Sequence, residues 1–249
     1  MVLFPKHGKL ETNSKQLKWD KIIFKGGLPR SLGNYKMLEF LDLGNNKIKE
    51  TFPSWLGALL EWRILIWHSN RFYGTISIID PKLRIIDLSN SRFVGTLPID
   101  FFARWNAITD LDEENATYLH AYNHHFMVNL TIIPYQFPYS MTITNKGERM
   151  EYAKILEDFS AMDLSCNKFE GEILEVVGNL KGLQLLNLPI NILVGPIPIA
   201  LVFLANLEAL DLSQNKLTGR IPTQLMQLNF LEVFNVSHNH LIGPIPKGQ

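Results

Sequence analysis

The stretch Leu210–Pro222 reads LDLSQNKLTGRIP, and its two halves ask for different backbone shapes. The alternation in Leu-Asp-Leu suits a short strand that turns Leu210 and Leu212 inward and Asp211 outward. Asn215 follows the strand, where its side-chain amide can satisfy backbone groups that a bend would otherwise leave buried and unpaired. Gly219 permits a tight turn, and Pro222 stops the strand and sets φ for the next bend. The phrase recurs as MDLSCNKFEGEI, LNLPINILVGPIP and FNVSHNHLIGPIP, so that Asn167, Asn191, Asn215 and Asn239 stand 24 residues apart. Upstream, LDLGNNKIKETFP and LIWHSNRFYGTI place Asn46 and Asn70 at the same spacing of 24. IDLSNSRFVGTLP follows at a spacing of 21, with Ser91 at the asparagine position. A unit that cannot bury its apolar edge alone must stack on its neighbours, so the period implies one continuous core behind a parallel sheet.

The pattern L-x-x-L-x-L-x-x-N-x-L resembles the leucine-rich repeat, and the GxIP endings at Gly195–Pro198, Gly219–Pro222 and Gly243–Pro246 resemble its plant-specific class. That resemblance implies an α/β-type repeat solenoid, a right-handed superhelix with a concave parallel β-sheet. Departures such as KETFP without glycine, GTIS ending in Ser77 and GEIL ending in Leu174 imply local irregularity rather than another fold. Residues 1–27 read as a degenerate repeat, with Leu17 and Trp19 inward and Ile22 at the asparagine position. Repeats then occupy 28–100, an insertion 101–158, and four further repeats 159–249.

Lys plus Arg and Asp plus Glu are both 24, a formal net charge of zero, which offers no electrostatic footprint for nucleic acid. The single cysteine, Cys166, excludes an intrachain disulfide and a thiolate metal site. No run of 18 apolar residues occurs, and MVLFPKHGKLETNSKQ is too short in apolar residues for a secretory signal. The usual paired-cysteine caps are absent, so the chain reads as a piece of a longer ancestor. No phosphate loop, serine elbow, kinase signature or carboxylate pair is present, so neither enzymatic activity nor a cofactor is expected.

Ser91 to Asn167 is 76 residues where the period allows 24. Within the excess, YSMTITNKGERMEY (139–152) reads as two short strands about an Asn-Lys-Gly turn. Together with DFFARWNAI, FSAMDLS, GNLKGLQLLNL and LEVFNVSHNHLIGPIP, it resembles plant leucine-rich-repeat receptor-like proteins, membrane receptors without a kinase, many of them immune. In that family the insert is called the island domain and sits shortly before the final four repeats; four repeats follow here. The resemblance implies a defence receptor at the extracellular face of the plasma membrane, anchored through a segment missing from this chain. Its implied partners are an extracellular peptide, protein or glycan ligand, and a co-receptor or adaptor receptor kinase met by the last repeats. The co-receptor-facing candidates are therefore Asp211, Ser213, Gln214, Ser237 and His238. Ligand-binding candidates are Ile66 and His68, which break the outward pattern with Trp67 inward between them, and Tyr139, Lys146, Arg149 and Tyr152 of the insert. The bland alternative is that the tyrosines pack the insert on the repeats. Deleting 104–157 is expected to leave the repeats folded.

Sequons at Asn115, Asn129 and Asn235 mark glycosylation candidates, Asn235 at an outward strand position. In HAYNHHF the spacing of His120, His124 and His125 would put two on one helical face. No acid stands at zinc-enzyme spacing, so a polar surface turn is the reading and no metal is expected. Cys166 has no evident cation or helix start beside it, and reads as a packed thiol. Three rival readings stay open: a soluble inhibitor or decoy, the ectodomain of a receptor kinase, and a truncated product without function.

Overall fold

The computed structural model describes residues 14–59, 61–76, 82–98, 117–128 and 131–247. Eight parallel strands form one sheet in chain order: Gln16–Lys18, Phe40–Asp42, Ile64–Ile66, Ile85–Asp87, Ala161–Asp163, Leu185–Asn187, Ala209–Asp211 and Val233–Asn235. Each contributes three residues, and equivalent positions of successive repeats lie opposite one another, Phe40 on Ile64 and Leu185 on Ala209. A second parallel sheet follows the bend: Tyr73–Gly74, Arg92–Gly95, Lys168–Glu172, Ile192–Pro196, Lys216–Gly219 and His240–Leu241. The shorter pair Lys25–Gly26 and Lys47–Ile48 continues that pattern in the first repeats.

The repeat solenoid with its parallel sheet is as expected, and its helical part is short. Among the described residues the return of each coil holds a five-residue 3₁₀ turn, not an α-helix: Arg30–Asn34, Ser54–Ala58, Glu175–Asn179, Ile199–Phe203 and Thr223–Gln227. Proline precedes four of the five, at Pro29, Pro53, Pro198 and Pro222. Two strands and two bends consume most of a 24-residue unit, which leaves room for one short turn.

Between the sheets lies a continuous core of leucines with an aromatic file through its first half. Trp67 stacks on Phe72 with centroids 4.7 Å apart, Phe72 on Phe93 at 6.0 Å, and Phe93 on Phe169 at 6.3 Å. Above the file runs a ladder of amides. Asn167 Nδ2 donates to the carbonyls of Leu88 (2.9 Å), Leu164 (3.2 Å) and Ser165 (3.1 Å), while its Oδ1 accepts from Phe93 N (3.1 Å). Asn46, Asn70, Asn191, Asn215 and Asn239 repeat this arrangement. Ser91 is too short to bridge, and its buried hydroxyl has no partner among the described residues.

The chain leaves the spiral after the strand Arg92–Gly95 and rejoins it at Ala161. There Ile85, Ile86 and Asp87 pair directly with Ala161, Met162 and Asp163. The repeats on either side are therefore immediate neighbours, and of the described intervening residues Leu119, Tyr139, Met141, Ile143 and Ile155 lie against a continuous stack.

Candidate functional site

Strand alternation sends Leu41 and Leu43 into the main core and Phe40 and Asp42 to the other face. That second face is apolar across the sheet: Phe40, Ile64, Ile85, Ala161, Leu185 and Ala209 all point there, and all are buried. Their cover is the insert. Leu119, Tyr139, Met141, Ile143 and Ile155 close over them, with Ile66, as a second hydrophobic core, against which Val233 packs half-buried. Fully burying a side chain of this kind gains about 1.5–3 kcal/mol.

The covering element is the hairpin Met141–Asn145 with Glu148–Tyr152, the two strands expected from NKG. Lys146 and Gly147 form its turn with φ of 53° and 81°, the backbone that a twisted two-residue hairpin demands. Met141, Ile143 and Asn145 face the repeats. Polar anchors run along the hairpin from one end of the sheet to the other. The Tyr139 ring stacks on Phe40 with centroids 5.2 Å apart, and its hydroxyl donates to Glu39 Oε2 at 3.2 Å. Asn187 Nδ2 donates to the Thr144 carbonyl at 2.8 Å. Lys146 reaches Glu232 at 2.5 Å and Glu208 at 3.6 Å. Where the insert returns, the Arg84 guanidinium donates to the Glu157 carbonyl.

Under the second strand the charges are unusual. Arg149 lies 2.9 Å from His68 Nε2. A guanidinium only donates, so Nε2 accepts and the ring proton sits on Nδ1, 3.3 Å from Ser69 Oγ. Burial first, and then Arg149, push His68 down to about 4, which keeps the ring neutral. Burial raises Asp42 to about 6, against the pull of its hydrogen bond from Gly44 N. Asp87 and Asp163 are opposite one another on adjacent strands and completely buried. Burial raises both, and the charge of Asp163 raises Asp87 further. Their acceptor oxygens are met by Ser89 and Ser165.

All six ligand-binding candidates meet in this region, but not as an open surface. Ile66, His68 and Tyr139 are buried, which corrects the expectation that a break in the outward pattern marks an exposed contact: the insert fills that break. Lys146 is half-buried in its ion pairs with the repeats, and Arg149 contacts His68 yet stays exposed. Tyr152 accepts from Asn145 Nδ2 at 2.7 Å and packs on Phe159, as the bland reading of the tyrosines holds. Along its second strand the hairpin presents Glu148, Arg149, Met150 and Glu151 to solvent; of these only Arg149 was expected from sequence. On the last repeats Gln214, Ser237 and His238 are exposed and Asp211 is half-buried. Ser213 is buried, with its amide bonded to Asp211 Oδ1, so it drops out of any docking face.

Asn235 is half-buried, its Nδ2 donating to Asp211 Oδ2 at 3.2 Å; the Asn115 and Asn129 sequons lie outside the described residues. HAYNHHF lies in the strand His120–Val128, not a helix, so the i, i+4 helical face does not exist. Cys166 sits at a left-handed corner with its thiol raised by burial and by Asp163, the opposite of a reactive site.

The Leucine Rich Repeat family model matches residues 37–59, 82–103 and 206–228. The chain has the leucine-rich-repeat fold. Receptor-like protein 19 of Arabidopsis thaliana is 45% identical over 153 residues, 61% of this chain and 15% of that protein. The chain spans about a sixth of the length of such relatives. The solved structure of the plant peptide hormone receptor RGFR1 in complex with RGF2 superposes with a TM-score of 0.67 at 24% identity, over 91% of this chain and 28% of that one. A plant ice-binding protein superposes at 0.62 and 23% identity, over 94% of this chain and 59% of that one. These structural likenesses establish the leucine-rich-repeat fold, which hosts different functions. The sequence relatives are what tie the chain to plant receptor-like proteins.

Proposed function

We propose that this chain is the ligand-recognition part of a plant cell-surface receptor-like protein, non-enzymatic, acting in defence signalling with a co-receptor kinase. The observation that supports the reading is the insert itself, whose hairpin is seated over the sheet where the strands Ile85–Asp87 and Ala161–Asp163 pair. The insert covers the apolar row of the sheet and carries exposed residues of its own outward, a surface that the repeats alone do not offer. Lys146, Arg149 and Tyr139 act by holding that surface in place, while Glu148, Met150 and Glu151 meet a peptide, protein or glycan ligand. Gln214, Ser237 and His238, exposed on the last repeats, face the co-receptor. Among the described residues no helix is long and apolar enough to cross a membrane, so anchoring falls to another segment of the receptor.

The test uses the full-length receptor in plant cells. Surface biotinylation should label it, and a panel of microbial extracts should yield one that it converts into a reactive-oxygen burst. Changing Glu148, Met150 and Glu151 together to alanine should abolish that burst with surface level unchanged. An unlabelled protein, or a burst that survives the triple change, sinks the proposal.

A further inference from the structure

The second sheet carries a feature that the insert does not touch. Its inward residues Ile48, Phe72, Phe93 and Phe169 are fully buried, so the residues on either side of each face solvent. In the first repeats those neighbours are cations: Lys47 and Lys49, Arg71, Arg92 and Lys168, all exposed. None of the five makes an ion pair or a side-chain hydrogen bond among the described residues. The chain as a whole is neutral, so the concentration is local. Three acids lie near. Glu50 is half-buried and accepts from Leu28 N at 2.6 Å; Glu170 and Glu172, exposed on the strand of Lys168, end the run with Ile192.

The register gives the run its shape. Arg92 lies opposite Tyr73, and Lys168 opposite Val94, so the sheet is staggered by two residues at each step. Successive cations are then diagonal neighbours, roughly 7–8 Å apart. Between them sit exposed apolar side chains, Tyr73 at 44% and Val94 at 39%. The result is a strip of paired strands on which charge and apolar surface alternate.

We propose that this strip is a docking surface for a linear polyanionic glycan, a polyuronate, distinct from the surface presented by the insert and independent of the reading given for it. Arg71 and Arg92 offer planar donors that match carboxylates bidentately. Tyr73 and Val94 lie level with them, where the C–H faces of successive sugar rings would rest. Single-stranded nucleic acid fits less well, because it is held by a series of aromatic platforms and this strip has one ring. An anionic membrane calls for an apolar face to insert, and the strip is flat β-sheet.

The experiment measures binding of the 249-residue chain to polygalacturonate, with the same polymer methyl-esterified as control. Expected is binding to the free acid that weakens as ionic strength rises, as charge pairing on an exposed face must. Changing Arg71, Arg92 and Lys168 together to Gln should weaken it by at least about tenfold. Changing Arg30, Lys181 and Lys247 to Gln removes the same charge elsewhere and should leave affinity within about twofold. Circular dichroism confirms that both variants are folded. Equal binding to the esterified polymer, equal losses in the two triples, or tighter binding to single-stranded DNA or phosphatidylserine vesicles overturns the proposal.

Discussion

Asn167 is the one ladder asparagine whose partners are supplied across the insert. Leu88 O and Phe93 N lie 79 and 74 residues before it, whereas other rungs reach back 22 to 27 residues. Replacing it with alanine leaves the carbonyls of Leu88, Leu164 and Ser165 without this donor and Phe93 N without its acceptor. Each buried backbone group stranded costs about 1–3 kcal/mol. Leu88 O is also within the reach of no other rung, since Ser91 stands where the next asparagine should, so at least Leu88 O and Phe93 N are stranded outright. The expected loss is about 3–5 kcal/mol, most of the stability of many domains. Asn239→Ala is the internal comparison. It removes the same pattern of bonds, but Ser237 is exposed and Asn239 itself is half-buried, so water replaces part of what is lost and about 1 kcal/mol is expected. Urea unfolding followed by tryptophan fluorescence reads both, since Trp67 stands in the aromatic file beside the junction. Equal losses in the two variants, or a loss under about 1 kcal/mol for Asn167→Ala, would show that the amide ladder is incidental to the weld.

Ile190 carries a φ of 55° and is 45% exposed, so Ile190→Asn should stabilise by about 1 kcal/mol, seen as a higher urea midpoint. A Cβ on Gly178 would lie 2.6 Å from the Ala200 carbonyl oxygen, so Gly178→Ala should cost about 1–3 kcal/mol and lower the melting temperature. Asp42 has its folded pKa raised from 3.8 to about 6, so the native state binds the extra proton and stability falls as pH rises from about 4 through 6. Asp42→Asn keeps an acceptor for Gly44 N and should flatten that fall, leaving the variant more stable than wild type by up to about 3 kcal/mol at pH 7.5 in urea titrations. Removing residues 117–157 should now expose the apolar row from Phe40 to Ala209, detected as dye binding and self-association by light scattering, rather than leave an ordinary soluble solenoid.

The repeats were legible because their signal is local. An asparagine after a Leu-x-Leu strand, and a glycine before a proline, state their backbone geometry within a dozen residues, and the period multiplies the statement. The hairpin turn at Lys146–Gly147 was legible for the same reason. What was missed is the seating of the insert, which is a contact between parts of the chain some hundred residues apart, as Tyr139 and Glu39 are. A partial signal existed. The outward face of each strand has two positions, and Ile66, Asp211 and Asn235, read above as outward, all occupy the second. The first, Phe40, Ile64, Ile85, Ala161, Leu185, Ala209 and Val233, is apolar from the second strand to the last, with Gln16 alone polar at the edge. Strand alternation alone puts those residues on the side away from the core, and an apolar stripe that long is not left to water.

That stripe also explains why the charges beneath the hairpin are tolerated. Burying Asp42, Asp87, Asp163 and His68 disfavours every ionised form, as the directions of their shifts show. Nothing in the polar anchors is strong enough to offset four such groups, because Lys146 is partly exposed and its ion pairs are screened. The apolar contacts are the larger quantity. Tyr139, Met141 and Ile143 alone bury three large side chains, at about 1.5–3 kcal/mol each, and the row they cover adds its own. The insert is therefore held by hydrophobic burial, and the buried acids are a cost that the seat absorbs. A recognition surface built on such a seat is stiff, and ligand binding to it need not first order the loop.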